Sequence, residues 1–229
     1  MNNQSEKITK YIFIGVCVAE LLSRAFEWEA IHHVTKPLLM PVLLVYFRQG
    51  TTGRLTPSFL LAGLGLILSF IGDSMLLFEG ELYFVLGLAA FAIAHIFYIV
   101  AFSKAVLPKT KSPSALSKML YALPFLLLFG ILMSALWPHV GELKIPVAVY
   151  AVIIIVMALS AVYRNGRAPQ DSVNQVIFGA VLFLLSDSLL ALDRFYMPME
   201  NAGVWIMSTY MLAQWNLING LQKHYNSES

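Results

Sequence analysis

Eight stretches of apolar residues, each close to 20 residues long, are separated by short polar segments. They cover roughly 8–26, 31–47, 56–78, 82–103, 119–137, 144–163, 173–193 and 202–221. A run of about 20 apolar residues spans the hydrocarbon of a bilayer as a helix. The pattern therefore predicts an all-α polytopic membrane protein, a bundle of eight transmembrane helices forming one integral membrane domain over 1–229. The second stretch is short and carries Pro37 and Pro41. Proline frees backbone groups that must find partners in lipid, so this helix is expected to be packed inside the bundle or kinked. The longest connection, "SKAVLPKTKSPSALSK" (103–118), reads as a loop from its Pro and Ser content. The first stretch contains Glu20 and Arg24 and lacks an evident small-x-small site, so it does not read as a cleavable signal.

Composition agrees with the pattern. Of the 229 residues, 59% are hydrophobic and 12% charged, against about 25% charged in soluble domains. The mean hydropathy is +0.73. One cysteine, Cys17, excludes an internal disulfide framework and a cysteine-based metal site. The net charge of +2 is too small to suggest nucleic acid. Its distribution is more informative. With the N-terminus inside, 11 of the 15 Lys and Arg residues fall on the inner side: Lys7, Lys10, Arg48, Arg54, Lys104, Lys109, Lys111, Lys118, Arg164, Arg167 and Lys223. The positive-inside bias places both termini in the cytoplasm. Short loops suit a bacterial inner membrane.

Against this background the ionisable residues inside the apolar runs stand out. Each costs about 2.5–3.5 kcal/mol on insertion scales, and each is a functional candidate. Asp73 lies in "FIGDSMLLF" (70–78) and Asp187 in "FLLSDSLL" (183–190). The two segments align, "LSFIGDSMLLF" over "LFLLSDSLLAL", with the aspartates 114 residues apart. The following helices echo each other too, "FAIAHIFYI" (91–99) over "YMLAQWNLI" (210–218), which sets His95 over Gln214. Four helices plus four would be a parallel repeat. Glu20, Lys36, Asp73 and Asp187 fall in the outer portions of their spans, and His95 and Gln214 nearer the middle. One polar chamber in the outer half of the bilayer is the expectation. Gly65, Ser69 and Asp73 recur at four-residue spacing and share a helix face, where small residues let a neighbouring helix approach.

Plainer readings apply elsewhere. Glu20 and Arg24, also four apart, read as a structural ion pair. His32 and His33 read as interfacial loop residues, and Asp193 and Arg194 as residues at the water boundary. Lys36 either snorkels or neutralises a carboxylate. His95 by itself reads as a hydrogen-bonded packing residue. A zinc hydrolase is disfavoured, since its site needs three protein ligands and the spans hold one deep histidine. A serine hydrolase is disfavoured by the absence of G-x-S-x-G.

"TKPLLMPVLL" (35–44), "GDSMLL" (72–77), "AHIFY" (94–98), "GAVLFLLSDSLLALDRF" (179–195) and "YMLAQ" (210–214), in this order, resemble the YhhN-like lysoplasmalogenase family. The resemblance implies an eight-helix membrane ether hydrolase without a cofactor. Its substrate would be a lysophospholipid, cleaved at the vinyl ether to a fatty aldehyde and glycerophospho-ethanolamine or -choline. It carries the proposed catalytic pair over to Asp73 and Asp187, and supporting roles to Lys36, His95, Ser186 and Gln214.

The chemistry suits two carboxyls. Vinyl ethers resist base and hydrolyse by proton transfer to the β-carbon, which leaves an oxocarbenium ion. Burial disfavours the charged form of a carboxyl in general, and two close carboxyls titrate as a pair. One then donates a proton while the other faces the cation, as in glycosidases. The competing classes are a proton-coupled or lipid transporter and a non-catalytic lipid-binding membrane protein. Both use intramembrane carboxylates and neither makes aldehyde. Small residues on several helices also permit a homo-oligomer.

Overall fold

The structure, a computed structural model, describes residues 3–52 and 55–227. Arg54, counted in the charge bias, lies outside the described residues. The fold is all-α. The helices are α1 (Asn3–Ala25), α2 (Glu29–Gly50), α3 (Pro57–Met75), α4 (Glu81–Lys104), α5 (Ala115–Leu136), α6 (Lys144–Val162), α7 (Gln170–Ala191) and α8 (Ala202–Ser227). A 3-10 turn (Gly141–Leu143) leads into α6, and a π-helical turn (Leu192–Tyr196) closes α7. Six of these helices, α2 to α7, are long and apolar enough to cross a membrane. The chain is thus a polytopic membrane protein. α1 and α8 are as long, with 23 and 26 residues, but carry more polar residues.

Local chemistry sets the boundaries. Thr56 caps α3, its Oγ1 accepting from Phe59 N at 3.2 Å, with Pro57 in the first turn where no N–H is needed. Ser114 caps α5 by accepting from Ser117 N at 3.1 Å. The loop expected over 103–118 is therefore shorter, and its last residues already belong to α5. α2 runs through Pro37 and Pro41 without a break. It packs between α1, α3 and α8, which is the buried alternative of the two expected.

The most extensive interfaces are α7–α8 and α3–α4, the two hairpins that the sequence echo pairs. Small residues explain both. A side chain at Gly179 would meet the backbone of α8 at Ala213 O and Leu217 N, each 2.8 Å away. On α3, Gly65 lies against the ring of Tyr98 and Gly72 against that of Phe91. In lipid, where apolar side chains gain nothing by leaving solvent, such close backbone approach is the main source of association. α2, α3, α4, α6, α7 and α8 surround the core, α1 lies across α2 and α8, and α5 touches chiefly α6. α5 buries Leu136 alone.

On the side of the bundle where α4 ends and α7 begins, Arg164 is fully buried. Its Nε donates to Ala105 O (3.0 Å) and a terminal nitrogen donates to Ser172 Oγ (2.8 Å). Ser172 in turn donates to Gly220 O at 2.6 Å. One guanidinium thus ties α4, α7 and α8.

Gly179→Val should cost about 1–3 kcal/mol through overpacking against α8, read as a lower thermal midpoint in detergent. Gly130→Ala on α5, where a new Cβ meets nothing within 4 Å, should shift the midpoint little. Equal midpoints for the two variants would refute this account of the α7–α8 interface.

Candidate active site

Asp73 sits two residues before the end of α3 and is 2% exposed. Its Oδ2 accepts from the phenol of Tyr210 on α8 at 2.7 Å. Tyr210 is itself oriented. Gln214 Nε2, one turn further along α8, lies 3.5 Å from the phenol oxygen and 3.0 Å from Ser69 Oγ, donating to both. Gln214 Oε1 accepts from Tyr98 OH on α4 at 2.9 Å. Because the amide occupies a lone pair of Tyr210, the phenolic hydrogen is left for the carboxyl. The face predicted for Gly65, Ser69 and Asp73 is the face these α4 and α8 groups meet.

Asp187, on α7, has a parallel arrangement. Its Oδ2 accepts a short hydrogen bond from Tyr150 OH of α6. Each aspartate therefore has a tyrosine donor on a different helix. Asp73, Asp187, Tyr150 and Tyr210 line one cleft together with Lys36 and Ser186, walled by Leu76, Phe84, Leu88 and Phe91. Its cavity volume is about 60 Å³, room for a few ordered waters. Phe183, Phe91 and Tyr210 pack edge to face behind it, with centroids 5.4–6.3 Å apart.

Four of the six residues singled out from the sequence thus share the cleft: Asp73, Asp187, Lys36 and Ser186. Ser186 spends its hydroxyl on Ile206 O of α8, at 3.0 Å, and so acts as a tether. Lys36 makes no ion pair among the described residues. Gln214 stands behind Tyr210 and acts on it. His95 is fully buried behind Tyr150, with its ring 4.6 Å from Phe183 and 5.6 Å from Tyr150. Contrary to the expected hydrogen-bonded packing role, neither of its ring nitrogens has a hydrogen-bond partner among the described residues. A buried polar atom is normally bonded, so His95 is the group here with unused capacity.

Two expectations fail. Glu20 does not pair with Arg24. It is fully buried against α2, where His32 Nδ1 (2.8 Å) and Thr35 Oγ1 (2.6 Å) meet its carboxylate. Arg24 pairs with Glu29 at 3.3 Å. Residues four apart share a face, but Glu20 lies under α2 while Arg24 reaches past the helix end. His32 and His33 are not loop residues. Both lie in the first turns of α2, and His32 is buried by its bond to Glu20. Asp193 and Arg194 do sit at a helix end. Asp193 accepts from Met199 N at 2.8 Å, and Arg194 lies over the Phe84 ring at 3.9 Å.

Sequence reasoning missed Tyr150 and Tyr210. Tyr210 opens the "YMLAQ" block, so its position at one turn from Gln214 was an available signal. Tyr150 sits in an apolar run without any distinguishing neighbour. Among the described residues no three His, Cys, Asp or Glu side chains converge as metal ligands would.

The YhhN family profile matches residues 31–221, which takes in every cleft residue. The chain belongs to the YhhN family. Relatives of this YhhN-family chain include a protein of Bos taurus named lysoplasmalogenase TMEM86A, 34% identical over 154 residues, or 66% of this chain and 60% of the relative. A human protein named lysoplasmalogenase TMEM86B is 35% identical over 150 residues, 65% of this chain and 58% of the relative. A protein of Mycobacterium tuberculosis (strain CDC 1551 / Oshkosh) named lysoplasmalogenase is 33% identical over 155 residues, 65% and 55% respectively. The match spans about 60% of the length of the first two relatives. No solved structure matches the chain significantly.

Tyr210→Phe removes the donor to Asp73 and an acceptor for Gln214, whereas Tyr98→Phe removes the donor to Gln214 Oε1 and leaves the carboxyl its phenol. The first should lower stability by about 1–3 kcal/mol and the second by less, measured as thermal midpoints in one detergent. The reverse order would count against the Tyr210–Asp73 bond as the anchor of this network.

Proposed function

We propose that this protein hydrolyses the vinyl ether bond of lysoplasmalogens, with Asp73 and Asp187 as its catalytic carboxyls. The observation that carries the reading is that two aspartates 114 residues apart, each in the same local motif, line one apolar cleft with a tyrosine donor on each. The names of the relatives support the same activity.

This reading assigns the steps as follows. One carboxyl, protonated, gives its proton to the β-carbon of the alkenyl chain. The alkene electron pair forms the new C–H bond and leaves an oxocarbenium ion. The second group, a carboxylate, faces that cation and takes a proton from water as the water oxygen bonds to the α-carbon. A neutral hemiacetal results. When its bond to the glycerol oxygen breaks, the second carboxyl returns a proton to that oxygen, and the first takes the hydroxyl proton. Both groups are restored. The products are a fatty aldehyde and glycerophospho-ethanolamine or -choline. Tyr150 and Tyr210 hold one oxygen of each carboxyl and leave the other to the cleft. Lys36 supplies the cation of the site, for a carboxylate or for the substrate phosphate.

The topology belongs to the same proposal: one membrane domain of eight spans, both termini cytoplasmic, in a bacterial inner membrane with the cleft toward the periplasmic half. Cysteines introduced at Lys111 and at Glu142, in a Cys17→Ala background, test it in intact cells. An impermeant thiol reagent should label position 142 and spare position 111. The opposite labelling would invert the topology.

For the reaction, purified protein should release aldehyde from 1-alkenyl lysophospholipid and none from the 1-acyl counterpart, with or without chelator. Asp73→Asn and Asp187→Asn should each lose at least about a hundredfold in rate, within the range for general acid–base groups, at an unchanged thermal midpoint. A folded Asn variant with full activity would sink the mechanism. A folded wild type that binds the lipid without forming aldehyde would favour a carrier or a lipid-binding protein.

A further inference from the structure

The cleft of the two aspartates is too small for a lysolipid chain, yet a second cavity shares its Asp187 and Tyr150 end. This one lies between α5, α6 and α7, and Asp187 and Tyr150 line both cavities. Away from them its walls are apolar, with Leu132 and Met133 from α5, Ala151 and Ile154 from α6, and Leu184 and Ala191 from α7. Ser188, the other polar side chain there, spends its hydroxyl on Leu184 O of its own helix at 2.7 Å. The slot follows α5 from Leu128 to Leu136, about 12 Å at 1.5 Å per residue. We infer that this slot binds the hydrocarbon chain of the substrate, with the vinyl ether at the Asp187 end and the headgroup on the Asp73–Lys36 side. The inference rests on the proposed hydrolysis for the identity of the lipid.

Three features argue for an alkyl chain as the occupant. The slot is an apolar channel that stops at one carboxyl and one phenol, which is the polarity of a chain ending in an ether. It lies on the lipid-facing side of the bundle, so a chain enters laterally without crossing water. Its outer wall is α5, the helix that buries one residue and is apolar on every side. Facing lipid costs such a helix little, because lipid tails are as apolar as its neighbours. The slot has a volume of about 40 Å³ as it stands, so a chain is admitted as α5 moves outward. The direction also suits the reaction. The carbon to be protonated lies on the chain side of the ether oxygen, and the glycerol that leaves lies on the other.

A rival site can be named. A groove between α1 and α8, lined by Lys10, Cys17, Met211 and Trp215, is wider, about 430 Å³. It shares no lining residue with the cleft, whereas the slot shares Asp187 and Tyr150 with it.

The test uses a 1-O-alkyl lysophosphoethanolamine with a diazirine in the distal half of the chain. This saturated ether carries no vinyl bond, so labelling does not depend on turnover. After irradiation of the full-length protein in nanodiscs, label should map to α5 and α6 between Leu128 and Ile155, and alkenyl lysolipid should compete it away. Label in the α1–α8 groove, or label that no lysolipid competes, overturns the inference. If aldehyde forms while label maps elsewhere, the slot fails and the hydrolase reading stands. If competed label maps to the slot while no aldehyde forms, the slot stands and the hydrolase reading fails. Ala151→Phe narrows the slot, and should lower the ratio of kcat/KM for long over short alkenyl chains by at least about tenfold, the effect of two or so lost methylene contacts. Met133→Trp, on the loosely held α5, makes the same test where Ala151→Phe does not fold. An unchanged ratio in a folded variant overturns the inference.

Discussion

A carboxyl inside a lipid-embedded bundle has no water to turn to, and its partners must come from the protein. That requirement governs how these helices are arranged. Glu20 of α1 is held by His32 and Thr35 of α2. Asp73 of α3 is held by Tyr210 of α8, and Asp187 of α7 by Tyr150 of α6. Every one of these bonds joins two different helices. The polar groups that make the site therefore also fix which helices stand side by side, and Gln214 extends the constraint by bonding Tyr98 of α4 as well as Ser69 and Tyr210.

Beside these bonds stands close backbone packing within each hairpin. Gly65 and Gly72 admit the rings of Tyr98 and Phe91, and Gly179 admits the backbone of α8. The spacing of small residues and the placing of the carboxyls are one design. The small residues bring α3 to α4 and α7 to α8, and the carboxyl–phenol bonds then link these hairpins to each other, Asp73 to α8, and to α6 through Asp187. The rings of Phe91 and Phe183 then close the wall behind the cleft. α5 shows the converse. It carries no charged residue between Lys118 and its end, its one bond to a neighbouring helix among the described residues is the Tyr163 phenol on Lys118 O in its first turn, and it lies at the margin with most side chains exposed. Beyond its first turn such a helix is held by packing, which makes it the wall of the proposed slot with the least to lose by moving.

The sequence by itself determined the all-helical class and the position of each helix, most ends to within four residues and the outer ends of α1 and α8 to within five and six, because the length of an apolar run and its flanking Pro, Ser and Thr are local signals. It also singled out Asp73 and Asp187, because a carboxyl in an apolar run is costly wherever the chain folds. Lys36 and Ser186 were legible through their motifs. The tertiary structure decided the rest. Tyr150 and Tyr210 read as apolar residues until a carboxyl is found opposite them. Glu20 and Arg24 are neighbours on one helix, and only the packing of α2 over Glu20 separated their fates. Gln214 and His95 are both intramembrane polar residues in echoed segments, yet one orients a phenol and the other stands with unbonded nitrogens behind it. Hydrogen-bond partners in a membrane bundle come from helices distant in sequence. Periodicity reports which face a residue occupies; only the fold reports what that face meets.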